Sequence, residues 1–179
     1  MSDFTPSSSS PSHVPTPAIA VVDGVTQSFS PPEILAPVGG REQFFAALNS
    51  GADAVFLGLK KFNARSRAEN FTIEELETLV PLAHRYGMKV LVTLNILIKD
   101  EELDDVVATL GSLERISVDA VILQDMGVAR IARKHFPSLR LHASTQLAVH
   151  NLAGVIEARK AGFSRVVLAR ELTAEEIKR

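Results

Sequence analysis

From Glu33 onward one unit recurs about six times: a short apolar strand, a small cluster of polar or glycine residues, then a segment with helical apolar spacing. Near-continuous apolar strands with interposed helices predict a parallel sheet covered on both faces, either a barrel or a doubly wound sheet. In both architectures the chemistry gathers at the strand ends, so the pattern indicates where to look for function. A closed (βα)8 barrel needs eight such units, and the chain reaches Arg179 inside the sixth helix. The expected fold is therefore α/β with a parallel sheet over residues 31–179, and as a barrel it would be incomplete, with about six of eight βα units and a truncated C-terminus.

Periodicity separates strand from helix along the chain. Ile34-Leu35-Ala36 is the first expected strand, stopped by Pro37-Val38-Gly39-Gly40, and Arg41–Asn49 has helical spacing at Phe44, Phe45 and Leu48. Residues 54–57 form the second strand, ending at Gly58, with a longer loop through Asn63-Ala64-Arg65. Thr72 and Glu75 have capping-box spacing, predicting a helix over 72–86 that Pro81 bends and Gly87 ends. Residues 89–94 make the third strand, ending in Thr93 and Asn95, with Asp100 as N-cap of a helix reaching Arg115. Residues 120–123 make the fourth, ending in Gln124-Asp125, before a helix over 128–135. A fifth strand opens at residues 139–141 and runs through His142-Ala143-Ser144-Thr145-Gln146, with a helix over 151–161. Val166-Val167-Leu168 is the sixth, finishing at Ala169-Arg170-Glu171, and Thr173 with Glu176 repeats the capping-box spacing. Gly51-Ala52-Asp53-Ala54-Val55 and Ser117-Val118-Asp119-Ala120-Val121 are similar openings, as internal repetition would produce.

Residues 1–30 differ. A serine run at 7–10 and prolines at 6, 11, 15 and 17 predict a disordered leader, within which 18–22 is a candidate strand with no partner that the sequence names. Asp3 followed by serines and prolines is unlike a secretory signal, which points to a cytoplasmic protein. No apolar run approaches the roughly 18 residues of a membrane span. A net charge of −2 with scattered Lys and Arg carries no bulk signature of a nucleic-acid binder. With Cys 0, the chain can form no disulfide framework, thiol nucleophile or cysteine-ligated zinc or iron–sulfur site from its own residues.

Standard catalytic signatures are missing: there is no P-loop, strand-linked GxGxxG, HExxH or GxSxG. Val38-Gly39-Gly40-Arg41 is either a tight βα turn or a helix N-terminus offered to an anion. Alternation along an extended chain sends His142, Ser144 and Gln146 to one side, where they can position a ligand. Side chains two residues apart on a strand lie about 7 Å apart, too far for histidine to activate Ser144. Asp125 and Glu171, at the ends of different strands, form a candidate acid/base pair, or equally serve as caps and rim salt bridges. Arg170 can grip a carboxylate or phosphate with its planar fork, and Asn95 and Gln124 can hold substrate or satisfy turn backbone.

The ordered set Pro32-Glu33-Ile34-Leu35-Ala36-Pro37-Val38-Gly39-Gly40, Gly51-Ala52-Asp53-Ala54-Val55-Phe56-Leu57-Gly58, Phe62-Asn63-Ala64-Arg65, Val92-Thr93-Leu94-Asn95, Leu123-Gln124-Asp125-Met126-Gly127, Leu141-His142-Ala143-Ser144-Thr145-Gln146 and Val167-Leu168-Ala169-Arg170-Glu171-Leu172 resembles the N-terminal region of the collagenase-like peptidases, the unassigned-type peptidase family 32. The resemblance implies a TIM-type barrel and a cytoplasmic bacterial enzyme. It implies either a protease acting on peptide or a protein hydroxylating a pyrimidine in ribosomal or transfer RNA, with some relatives acting in oxygen-independent ubiquinone hydroxylation. In the hydroxylating branches it implies an iron–sulfur cluster on cysteines C-terminal to the matched region, so no cofactor is expected on this chain itself. Asn63, Arg65, Asn95, Gln124, His142, Ser144, Gln146 and Arg170 are then the expected substrate-binding residues. A noncatalytic scaffold and an unrelated phosphate-binding barrel enzyme are the other readings. Without those cysteines the chain is expected to be inactive alone, and six units of eight would leave two sheet edges open, so it is also expected to self-associate.

Overall fold

The computed structural model describes residues 18–22, 25–29, 31–65 and 68–178. Strands β1 (Ala18–Val22) and β2 (Val25–Phe29) pair antiparallel, Ala18 opposite Phe29, in a two-stranded sheet of their own. The candidate strand at 18–22 is thus one arm of a hairpin, and a disordered reading does not fit 18–22 or 25–29. Much of the expected leader, residues 1–17 included, lies outside the described residues.

The second unit, Leu35–Arg179, contains a six-stranded sheet of β3 (Leu35–Val38), β4 (Ala54–Gly58), β5 (Lys89–Leu94), β6 (Ala120–Leu123), β7 (Leu141–Ala143) and β8 (Phe163–Val166). Spatial order equals chain order and every neighbouring pair is parallel. Between and after the strands lie α1 (Arg41–Asn49), α2 (Ile73–Arg85), α3 (Leu103–Ile116), α4 (Met126–His135), α5 (Leu152–Lys160) and α6 (Ala174–Ile177). This is the expected run of six βα units in an open, barrel-like sheet. The sheet does not close, since β3 and β8 end the order.

Alternation along the strands creates two cores. Val55, Leu57, Val90, Val92, Leu94, Val121, Leu123, Leu141 and Ala143 pack with the helices in one large cluster. On the opposite face Leu91, Ala120 and Ile122 form a separate cluster with Phe56 against it. Register builds this inner face in rows, Phe56 beside Leu91 beside Ala120, and Thr93 beside Ile122 beside His142. Helix α2 shows how the outer layer is specified. Thr72 accepts from the Glu75 backbone while the Glu75 carboxylate accepts from the Thr72 N–H, closing the expected capping box. Leu76, Leu79, Val80 and Ala83 then present one buried stripe, and Gly87 at φ +74 turns the chain back to β5.

Some boundaries move for identifiable reasons. Pro37 does not stop β3 but lies within it, as an edge strand tolerates a missing N–H. Asp100 opens a 3-10 turn, Asp100–Glu102, rather than capping α3. Helix α4 starts at Met126 because Asp125 caps it. Strand β8 ends at Val166, three residues before Ala169, after a register irregularity against β7. No helix among the described residues is long and apolar enough to cross a membrane.

Candidate functional site

The C-terminal ends of β3 to β8 surround a cavity of about 450 Å³. Gly39, Gly58, Thr93 with Asn95, Ile122, Ser144 and Arg170 reach it from successive units, so the strand ends do converge on one place. Six of the expected binding residues line it: Asn63, Arg65, Asn95, Ser144, Gln146 and Arg170. Among the described residues its lining contains two arginines and several amide and hydroxyl residues but no Asp, Glu, His or Lys. A cavity of this composition favours an anion or a planar polar group, because charge-assisted hydrogen bonds from arginine have no built-in carboxylate competing for them.

The loop after β4 carries most of the lining. Phe56 and Thr93 project from the inner face, and the Arg65 guanidinium carbon lies 4.9 Å from the Phe56 ring centroid, a cation–π contact. Asn63 folds back across the end of β4; a Cβ at Gly58 would collide with its carboxamide, so a side chain there would have to displace Asn63. Asn63 Nδ2 donates to Asn70 Oδ1 at 2.7 Å, while Asn63 Oδ1 accepts from the Arg65 N–H at 3.2 Å and lies 3.2 Å from Thr93 Oγ1. Asn95 Oδ1 accepts from the Ala64 N–H at 3.2 Å, which ties the loop to the end of β5. Asn63 therefore braces the loop, whereas Arg65 and Arg170 are the cationic residues of the lining.

The segment after β7 departs from an extended chain. Ser144 caps a 3-10 turn, Thr145–Leu147, with its Oγ accepting from the Gln146 N–H at 3.2 Å and donating to Gln146 Oε1 at 3.4 Å. Period-two alternation thus ends at Ser144, and Gln146 reaches the cavity through the turn. His142, 8% exposed, belongs to the inner-face row and is absent from the lining.

Three other expected residues stand apart from the cavity. Asp125 Oδ1 accepts from the Val128 N–H at 3.0 Å and Oδ2 from the Ile98 N–H at 3.2 Å, so both oxygens serve a helix cap and a loop. Gln124 and Glu171 do not line it, and the structure does not bring Asp125 and Glu171 together there. At the N-terminus of α1 a Cβ at Gly40 would collide with the Glu69 carboxylate, so an acidic group already lies beside the helix end, where the dipole favours it. Sequence reasoning missed Asn70, Thr93 and Phe56 as site residues. An asparagine two residues before a capping threonine is the only trace of the first.

The match to known proteins covers the same region. The model of peptidase family U32 matches residues 39–179. The chain belongs to that family. The family resemblance carried by the strand-end motifs is therefore borne out. The U32 chain is 39% identical over 158 residues to tRNA hydroxylation protein P1 of Bacillus subtilis, covering 88% of this chain and 37% of that protein. It is 38% identical over 146 residues to the 23S rRNA 5-hydroxycytidine C2501 synthase of Escherichia coli, covering 82% and 22%. Thus it spans well under half the length of these relatives. A solved U32 peptidase superposes with a TM-score of 0.62 at 13% identity, covering 82% of this chain and 63% of that one, which supports the fold alone.

Proposed function

We propose that this U32 chain forms the substrate-facing part of an RNA-modifying protein of the hydroxylation type, acting in the cytoplasm, and that its cavity takes a nucleotide. The observation that carries this reading is the presence of both Arg65 and Arg170 in a cavity whose lining, among the described residues, holds no carboxylate. Arg65, backed on one face by Phe56, offers its other face to a planar base, and Arg170 supplies charge-assisted hydrogen bonds to a phosphate. Asn95 and Gln146 add amide groups for the base edge. The names of the two RNA-modifying relatives agree with that chemistry.

Peptide cleavage fits less well. It needs an activated nucleophile or a metal-bound water. Ser144 is engaged by Gln146, and among the described residues the lining supplies no imidazole or carboxylate base. The iron–sulfur cluster that the family resemblance implies does not fit this chain's donors: it has Cys 0, and no group of three His, Cys, Asp or Glu that could hold a metal occurs among the described residues. The residues of this chain bind and orient.

Titration of the chain with uridine 5′-monophosphate and with a collagen-derived peptide tests the reading. Saturable nucleotide binding is expected, weakened about tenfold or more by Arg170→Ala, the loss of a charge-assisted hydrogen bond. Peptide binding without nucleotide binding would reverse the assignment.

A further inference from the structure

Asn70 is 5% exposed, adopts φ +54, and has every polar atom of its side chain engaged. Its Nδ2 donates to Arg65 O at 2.9 Å and to Ala68 O at 3.1 Å, and its Oδ1 accepts from Asn63 Nδ2 at 2.7 Å. Its backbone N–H donates to Gly39 O at 2.8 Å, tying the loop to the end of β3. Asn63 in turn accepts from the Arg65 N–H. The two polar groups of the Arg65 main chain are thus held by a pair of asparagines that are bonded to each other. Through Thr93 Oγ1 the same pair reaches the end of β5.

We infer that Asn70 is a positioning residue: a buried amide latch that clamps the Arg65 main chain and so fixes the guanidinium over Phe56, facing the cavity. The ligand side of this inference rests on the nucleotide reading above, but the latch does not. An amide is needed here for its valence. Aspartate would keep the shape while removing both N–H donors, leaving Ala68 O without its amide donor and Arg65 O with only the Ala68 N–H at 3.1 Å in a part-buried site. Glycine would accept the positive φ without strain while removing the latch entirely. Comparing the two separates the backbone turn from the amide.

The test uses the 179-residue chain. Arg65 side-chain protons should show an upfield ring-current shift in the NMR spectrum, abolished by Phe56→Leu as the reference. Asn70→Asp and Asn70→Gly should both lose most of that shift and should be cut faster by trypsin after Arg65. Thr93→Val, which removes the hydroxyl that lies 3.2 Å from Asn63 Oδ1 together with its 3.0 Å bond to Leu57 O, leaves both asparagines in place, should give an intermediate loss and serves where an Asn70 variant does not fold. In the unaltered protein the Nδ2 protons of Asn63 and Asn70 should exchange more slowly than those of Asn95. Retention of the full shift in Asn70→Gly would overturn the latch, whatever the ligand result. Loss of the shift with unchanged uridine 5′-monophosphate affinity would leave the latch standing and defeat the nucleotide reading. Loss of both together, with an affinity fall matching that of Arg65→Ala, is the expected outcome.

Discussion

The middle of the six-stranded sheet and its two ends are made of the same repeating unit but are finished to different degrees. In the middle, β5 and β6 are almost wholly buried and α2, α3 and α4 each press three or more residues into the core. At the ends, α1 buries only Phe44 and α5 only Ala158, while Phe45, Leu152, Ile156 and Ile177 remain exposed. An amphipathic unit hides its apolar stripe best with a neighbour on each side, so the end helices bury fewer residues than the middle ones, although Tyr86, Val107 and Met126 stay exposed in the middle as well. The cavity lies across this gradient, with its braced wall near β4 and β5 and Arg170 just beyond β8.

The largest expected effect contrasts one substitution in the two regions. Leu110→Ala in α3, where the side chain has 0% exposure, should lower stability by about 2–5 kcal/mol through lost burial and an incompletely collapsed cavity. Leu152→Ala in α5, where the residue is 71% exposed, should shift it by about 0.5 kcal/mol or less. Denaturant midpoints at constant slope measure both. Equal costs would mean that α5 is covered in solution and that the two regions are alike.

Association is the next effect in size. Open parallel-sheet edges and exposed apolar helix faces favour pairing between copies of the chain. Leu152→Glu combined with Ile156→Lys should shift sedimentation profiles toward monomer, whereas a charge at exposed Tyr86, beside the middle helices, should not. A sharp monomeric peak for the unaltered chain would remove the asymmetry between ends and middle as a source of contacts.

The same contrast governs what could be read from sequence. Strands β5 and β6 and helix α1 are legible to the residue, because apolar runs and helical spacing there coincide with burial or with nearby glycine. So is the convergence of strand ends, which brings Arg65, Asn95, Ser144 and Arg170 into one cavity. The turn that carries Gln146 was not legible, since a serine cap inside a polar run leaves no periodicity to break. Asp125 illustrates a different limit: a carboxylate at a strand end reads alike as a catalytic acid and as a helix cap, and only the positions of the Ile98 and Val128 N–H groups separate the two. Asn70 escaped because its role depends on Asn63 and Gly39, brought to it by the fold and not by any local pattern.

The smallest effect pits one local motif against itself. Both α2 and α6 begin with a capping box, Thr72 with Glu75 and Thr173 with Glu176, but α2 has thirteen residues and a buried stripe while α6 has four residues and none buried. Thr72→Ala should cost about 1 kcal/mol of global stability, since α2 is joined to the core. Thr173→Ala should loosen only the last turn. Glu176 adds a pH signature: hydrogen bonds from the Thr173 backbone, then from its hydroxyl, hold the carboxyl below the ordinary glutamate range. A folded value depressed in this way favours the capped turn at pH above the ordinary glutamate value of about 4.3, and the advantage fades as pH falls through the lower folded value. Amide shifts of residues 173–177 should therefore change in mildly acidic solution before those of β5 and β6 do. Simultaneous change in both sets would show that the end of the sheet and its middle melt as one unit.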